Sequence, residues 1–109
     1  MTVNEMAQSL GLTALSEPDG ERNFSGVYIG DLLSWVMGKA QADNVWITIM
    51  SNINIVAVAS LADVACIILA EGVTVDDNIR ATAEAKGVNL YTSEKTAYEL
   101  ASMLARIDV

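Results

Sequence analysis

Residues 45–72, VWITIMSNINIVAVASLADVACIILAEG, constrain the fold of this chain more than any other stretch. The stretch opens with alternating β-branched residues over 45–50, which is typical of a strand. A continuous apolar run over 64–69 follows later and has the length of a buried strand, ended by Glu71 and Gly72. Between the two lie a polar loop and a short apolar helix. This order predicts a βαβ unit with parallel strands and a right-handed crossover.

The loop and helix between these strands have distinct characters. The loop carries Ser51, Asn52 and Asn54, residue types that satisfy free amides at turns and helix starts. Residues 55–62 are apolar around the whole circumference of a helix, and a helix of that kind is buried on more than one side. We therefore expect this helix to be sandwiched, and a second copy of the chain is one candidate for the outer layer.

The flanking sequence extends the pattern into a single domain covering residues 1–109. Gly26 inside a predicted strand suggests a bulge or a close backbone approach. The resulting fold class is α/β, with a mixed, mostly parallel sheet flanked by helices. Before the central unit we predict a helix over 3–10, strands over 12–15 and 24–29, and a helix that is opened by Gly30 and Asp31 and ends near Gly38. After it we predict a helix over 76–86 capped by Thr74, a strand over 88–91 and a last helix capped by Thr92 or Ser93.

Composition narrows the classes of partner. Of the 109 residues, 52% are hydrophobic, enough for a proper core without disulfides. Six basic against fourteen acidic residues give a net charge of −8, which disfavours nucleic acid and anionic membranes as partners. No apolar run is long enough to span a membrane and no signal peptide is recognisable, so a cytoplasmic location is expected.

Catalytic chemistry has little support in the sequence. The absence of histidine excludes Ser-His and Cys-His nucleophile pairs and the usual zinc sites. Cys66 lies in an apolar run and is expected to be a buried, inert thiol. Neither glycine-rich phosphate-binding motif occurs. We expect no enzymatic activity, no cofactor and no metal.

A ligand site, where one exists in such a fold, lies beyond the carboxyl ends of the parallel strands. Small polar residues and glycines follow each predicted strand, and helix amino termini there can hold a phosphate or carboxylate. The alternative is that caps and turns require these residues in any case. The candidate ligand-binding residues are Gly30, Asp31, Ser51, Asn52, Asn54, Gly72, Thr74 and Thr92.

A contact between two copies is the second candidate site. Apolar residues over 32–37 cover roughly 200° of a helical wheel, more than the ~100° that one core contact requires. Trp35 and Met37 are candidates for the contact because these residue types are enriched in interfaces, although core packing explains them equally well. Ile55 and Val58 of the apolar helix complete the predicted dimer interface.

Several stretches resemble the DRTGG domain family and together cover nearly the whole chain. They are GVYIGDLLSWVMGKA, VWITIMSNINIVAVASL, ACIILAEG, VDD and GVNLYTSEKTAYELASML. The resemblance implies an α/β fold like the N-terminal domain of HPr kinase/phosphorylase, an accessory module that tends to dimerise. It also implies an association with adenine-nucleotide regulation, since the family occurs between CBS domains of regulated pyrophosphatases.

The residues that give the family its name are largely replaced. Its Asp-Arg pair corresponds to Asn52 and Ile53, and its Thr-Gly-Gly to Ala70, Glu71 and Gly72. Loss of the arginine removes a phosphate partner, and Glu71 adds a negative charge.

The function expected from these observations is that of a non-enzymatic regulatory domain. It acts as a homodimer and senses a small anionic ligand or nucleotide, or docks a partner protein. One alternative is a purely structural or assembly module without a ligand. A more remote one is an accessory subunit of an enzyme, labelled a kinase through its relatives.

Overall fold

The computed structural model describes residues 1–107, which form one α/β unit. Alternation of helix and strand follows the predicted order throughout. The elements are α1 (Val3–Leu10), β1 (Thr13–Ser16), β2 (Val27–Ile29), α2 (Leu33–Lys39), β3 (Val45–Thr48), α3 (Asn54–Ala62), β4 (Cys66–Leu69), α4 (Asp77–Ala85), β5 (Leu90–Thr92) and α5 (Ala97–Arg106).

The five strands form one mixed sheet in the order β1-β5-β4-β3-β2. Strands β2 to β5 are parallel, and β1 is antiparallel to β5. The register of the central pair places Val45 beside Cys66 and Thr48 beside Leu69. The predicted parallel βαβ unit and the fold class are therefore confirmed.

Helices cover both faces of the sheet. Helices α2, α3 and α4 pack on the face that carries Trp46, Ile67 and Leu69, and α1 and α5 pack on the opposite face. The parallel strands follow one another across the sheet in chain order. Right-handed crossovers therefore place α2, α3 and α4 on the same side. Every residue of β3 and β4 is buried because both faces are covered, which explains their nearly continuous apolar sequence.

Within the single chain, helix α3 is buried on one side only, and its contact with a second copy stays a prediction. Its buried side faces the sheet, whereas Ala57 and Leu61 on the other side are exposed. The outer side carries a small apolar residue, Ala57, and a large one, Leu61, which is 75% exposed. Ile55 and Val58 have exposed fractions of 0% and 8% within the single chain. They have almost no surface left for contact with a second copy.

Helix starts differ from the predictions at three places. Helix α2 begins at Leu33 rather than at Gly30 and Asp31. Helix α4 is capped by Asp76 and not by Thr74, since Asp76 Oδ1 accepts the amide of Ile79 at 2.9 Å. Helix α5 is capped by Thr96, several residues beyond the predicted Thr92 or Ser93.

Strand β2 is shorter than predicted because of Gly26. This glycine has φ +79°, which interrupts the extended conformation before Val27. A β-carbon at Gly26 would lie 2.8 Å from Asn44 Nδ2. The close backbone approach expected at Gly26 is confirmed, and it fixes where the edge strand begins.

Candidate functional site

The carboxyl ends of β2, β3, β4 and β5 lie at one edge of the sheet because these strands are parallel. We call the loops that follow them, residues 30–32, 49–53, 70–76 and 93–96, the carboxyl edge. The candidate ligand residues precede or lie within these loops, apart from Asn54 at the first position of α3. Hydrogen bonds organise the carboxyl edge into two halves.

In the first half, Asp31 links the end of β2 to the end of β3. Its Oδ1 accepts the hydroxyl of Thr48 at 2.8 Å and the amide of Ile49 at 3.0 Å. Trp46 Nε1 donates to the carbonyl of Gly30 at 2.9 Å. Asp31 therefore holds two loops together instead of opening helix α2.

In the second half, the loops after β4 and β5 are joined through their backbones. The amide of Glu71 donates to the carbonyl of Lys95, and that of Gly72 to Ser93, both at 2.8 Å. These two amides are therefore not free to bind an anion. Hydrogen bonds between the two loops already satisfy both amides, so their positions are explained without a ligand.

Gly72 is further covered by a carboxylate. Its φ of +74° lies in the left-handed region, and a β-carbon there would be 2.7 Å from Glu94 Oε2. The Glu94 side chain thus lies over the glycine backbone, in the space that an anionic ligand would require. Glu71 beside it adds a second negative charge.

The polar side chains of the candidate set are only partly available. Asn52 Oδ1 accepts the amide of Asn54 at 2.9 Å and closes a turn before α3. The hydroxyl of Thr92 donates to the carbonyl of Val73. Ser51 and Thr74 are exposed. Among the residues that the structure describes, no hydrogen bond joins the Asn52 loop to the Gly72 loop.

Charge at the carboxyl edge opposes an anion. Asp31, Glu71, Asp76 and Glu94 lie in these loops, against the single cation Lys95. Like charges within a few ångströms repel a phosphate group unless a metal ion intervenes. Within residues 1–107, no three acidic or cysteine side chains are grouped closely enough to hold a metal ion.

The structure has two grooves that were not predicted from the sequence, because each is formed by elements that are separate in the chain. One, of about 320 Å³, lies between α3 and α4 and is lined by residues that include Asn54, Leu61 and Lys86. The other, of about 470 Å³, lies between β2 and α5, with Ala101 and Ala105 in its wall. Small side chains at an i, i+4 spacing on α5 leave this second groove open.

Buried ionisable groups serve the fold. Cys66 is fully buried as predicted, and burial raises the pKa of its thiol. Tyr91 is also buried, and burial together with donation of its hydroxyl to Glu17 raises its pKa. Neither group therefore ionises near neutral pH. A reactive thiolate or phenolate has no place in this site.

At the opposite edge of the sheet, Arg22 braces the starts of β3 and β4. Its Nη2 lies 2.8 Å from Asp43 Oδ1 and 3.0 Å from Asp63 Oδ1, and it also donates to the Asp63 carbonyl at 2.7 Å. Both aspartates have positive φ angles, 69° and 58°. One guanidinium thus fixes two strained turns, a structural role that spacing along the chain does not reveal.

The fold and this site define a helix-flanked α/β module. The chain belongs to the DRTGG domain family, whose model matches residues 5–107. The family resemblance seen in the sequence is therefore confirmed.

Solved structures give the same fold. One is the crystal structure of the CBS and DRTGG domains of the regulatory region of Clostridium perfringens pyrophosphatase, complexed with the activator diadenosine tetraphosphate. It matches with a TM-score of 0.75 at 12% sequence identity, over 96% of this chain and 46% of that chain. The present chain thus spans about half the length of that regulatory region.

Two further observations complete the comparison. A search of the curated proteins finds no match. None of the helices within residues 1–107 has both the length and the apolar character needed to cross a membrane.

Proposed function

We propose that this chain is a non-enzymatic regulatory domain that acts as a homodimer. Membership of the DRTGG family supports a regulatory role, since the same domain forms part of the pyrophosphatase regulatory region. The sequence supports the absence of catalysis, because it holds no histidine and no phosphate-binding loop. The proposal also includes docking of the dimer to a partner protein or a neighbouring domain.

Four exposed apolar side chains that lie close together in the chain carry the homodimer proposal. Ile29, Leu32 and Trp35 have exposed fractions of 49%, 60% and 57%. They belong to β2, to the loop after it and to the first turn of α2, and Met37, which is 40% exposed, lies two residues beyond Trp35. We call these four residues the apolar end. Monomeric proteins rarely expose such a concentration of large apolar groups unless it binds something.

Trp35 is the best-placed member of the apolar end for contact with a second copy. Lys39 Nζ lies 4.6 Å from the centre of its ring, a cation–π contact that restricts the side chain. A restricted aromatic side chain loses less entropy when an interface forms. Trp35 and Met37 therefore remain the proposed dimer residues, whereas the packing of Ile55 and Val58 removes support for α3.

Sedimentation equilibrium tests this proposal. We expect a dimer at concentrations on the order of 10 µM. Trp35→Ser should shift the protein towards monomer, because truncation of a central aromatic residue typically costs about 2 kcal/mol or more of binding energy. The matched control is Tyr98→Ser on α5, where an aromatic side chain is 80% exposed. A monomeric wild-type protein would reject the proposal.

A second candidate function is binding of a small regulatory ligand, in the first instance a nucleotide, at the carboxyl edge. Convergence of four loops there supports it, as does the nucleotide activator in the pyrophosphatase structure. Because Asp31, Glu71 and Glu94 oppose phosphate, we expect the contacts to favour the base and ribose. The proposed residues are those of the candidate set: Gly30, Asp31, Ser51, Asn52, Asn54, Gly72, Thr74 and Thr92.

Thermal unfolding in the presence of diadenosine tetraphosphate or ATP tests the ligand proposal. Binding should stabilise the folded state by about 2.7 kcal/mol at a hundredfold excess over the dissociation constant. Asn52→Ala combined with Asn54→Ala should abolish the response, while Gln8→Ala, which removes an exposed amide from α1, should retain it. Absence of any response in the wild-type protein would favour the structural or assembly module.

A further inference from the structure

Helices α3 and α4 leave a groove between them on the outer side of the sheet face that they cover. Its volume of about 320 Å³ lies at the lower end of the range for small-molecule sites. One water takes up about 30 Å³ of liquid, so the groove has room for about ten non-hydrogen atoms. A nucleotide is much larger than this. The groove therefore suits a different class of ligand from the one proposed for the carboxyl edge.

Apolar side chains of α3 form one wall of the groove. Ile53, Val56 and Ala57 line it near the start and middle of the helix, and Leu61 lines it near the end. Ile53 and Leu61 have exposed fractions of 41% and 75%. An apolar group that covers these side chains removes their surface from water, which favours its binding.

Polar side chains from both helices meet at one end of the groove. Helices α3 and α4 run in the same direction, because each connects the carboxyl end of one parallel strand to the start of the next. Ser60 lies in the last turn of α3, and Lys86 is the carboxyl-terminal cap residue of α4. Both line the groove, which is therefore apolar towards the start of α3 and polar towards its end.

Lys86 gives this polar end its charge. Of the described residues that line the groove, Lys86 alone is ionisable. Within residues 1–107, no carboxylate is close enough to Lys86 to form an ion pair, whereas Arg22 is held by Asp43 and Asp63. In a chain with a net charge of −8, an ammonium group without an acidic partner attracts a small anion.

The hydrogen-bonding groups at the polar end are compatible with a carboxylate. The ammonium of Lys86 and the hydroxyl of the exposed Ser60 can both donate. The carbonyl of Ser60 already accepts the amide of Asp63 at 3.3 Å, and that of Thr82 accepts the amide of Lys86 at 2.9 Å. These bonds reduce the repulsion that helix carboxyl ends exert on an anion.

We propose that the groove between α3 and α4 binds a small monocarboxylate with an apolar body. The carboxylate accepts hydrogen bonds from Lys86 Nζ and Ser60 Oγ, and the apolar body lies along α3 towards Ile53. From Ile53 to Ser60 the helix rises about 10 Å. A chain of eight carbons, with bonds of about 1.5 Å, has a similar length. One cation matches one negative charge, so a dicarboxylate or a phosphate is disfavoured by the acidic chain.

Calorimetric titration with octanoate, which has about ten non-hydrogen atoms, tests the proposal. Octanamide is the neutral analogue of the same size. Octanoate should bind at least about tenfold more tightly, because its carboxylate is bonded to a charged donor. Lys86→Met should remove this difference by weakening the binding of octanoate alone. The matched control is Lys39→Met, which removes the cation beside Trp35 and should change neither affinity.

A second pair of variants tests the location without changing the charge. Ala57→Phe places a ring in the groove and should abolish the binding of both compounds. Ala81→Phe adds the same ring to an exposed alanine of α4 that does not line the groove, and it should leave binding unchanged. Circular dichroism checks that both variants are folded.

Several outcomes would overturn the proposal. They are a wild-type protein that binds no octanoate, equal affinity for octanoate and octanamide, and binding that survives Ala57→Phe. Loss of octanoate binding in Lys39→Met but not in Lys86→Met would place the site at the apolar end and overturn it too. The groove shares only Ile53 and Asn54 with the carboxyl edge and its candidate residues, and none of these variants alters them. A monomeric protein, or one without a nucleotide response, would thus reject a proposed function and leave octanoate binding as expected.

Discussion

At the scale of single residues, Gly72 of the candidate site is covered by a neighbouring carboxylate. Its backbone is left-handed, and the carboxylate of the exposed Glu94 occupies the place of a β-carbon. Gly72→Ala should therefore destabilise the fold by about 2 kcal/mol, through backbone strain and displacement of Glu94. Urea unfolding of the variant measures this loss.

Gly38→Ala is the matched control for Gly72→Ala. Gly38 lies within α2, and nothing lies within 4 Å of a β-carbon placed there. Alanine favours a helix over glycine by about 0.5 to 1 kcal/mol, so this change should stabilise the fold. Equal effects of the two substitutions would contradict the proposed strain at Gly72.

At the scale of elements, the start of α5 depends on a reciprocal cap. The amide of Thr96 donates to Glu99 Oε1 at 3.0 Å, and Thr96 Oγ1 accepts the amide of Glu99 at 3.2 Å. The backbone and side-chain hydrogen bonds from Thr96 lower the pKa of Glu99 below its ordinary value of 4.5. The stabilisation is therefore present above pH 4.5 and is lost as the pH falls through the lowered pKa.

Thr96→Ala should remove part of this cap. We expect a loss of about 1 kcal/mol of unfolding free energy at neutral pH, typical of a lost helix cap. The pKa of Glu99 should rise towards 4.5 but stay below it, because the backbone bond remains. Unfolding at several pH values and an NMR titration measure both effects. Thr82→Ala, inside α4, is the control and should change neither by much.

At the scale of the whole molecule, burial and charge are distributed unevenly. The two faces of the sheet are covered by helices. At the β1 edge the register is irregular, and Arg80 Nε donates to the carbonyl of Leu15. The remaining edge, at β2 and the start of α2, exposes Ile29, Leu32 and Trp35. Since the net charge of −8 disfavours self-association elsewhere, this end is the surface that we propose for a dimer.

The sequence predicted the order and type of the elements well because hydrophobic periodicity is a local signal. Helix α1 begins and ends where its capping box and Gly11 indicate. Caps were misplaced where tertiary contacts competed with local propensity. Asp31 is the example, since its bonds to Thr48 and Ile49 divert it from helix α2. Thr74 lost its capping role to Asp76 because aspartate at that position reaches the amide of Ile79.

The edge at which the candidate residues meet was predictable, whereas the hydrogen bonds that already occupy them were not. Parallel strands necessarily bring their carboxyl ends to one edge, which follows from the βαβ pattern alone. The contact between Gly72 and Glu94 joins residues far apart in the chain, and no local pattern encodes it. The same holds for the exposure of Trp35 and the burial of Ile55, since both depend on neighbouring helices.

By itself, the sequence determined the α/β class, the parallel central strands, the family and the small number of side chains suited to catalysis. These properties follow from periodicity, turn residues and composition, which act over a few residues. Only the tertiary structure decided which edge of the sheet stays open and which amides are already bonded. Those outcomes depend on contacts between distant segments, such as Arg80 with Leu15 and Gly72 with Ser93.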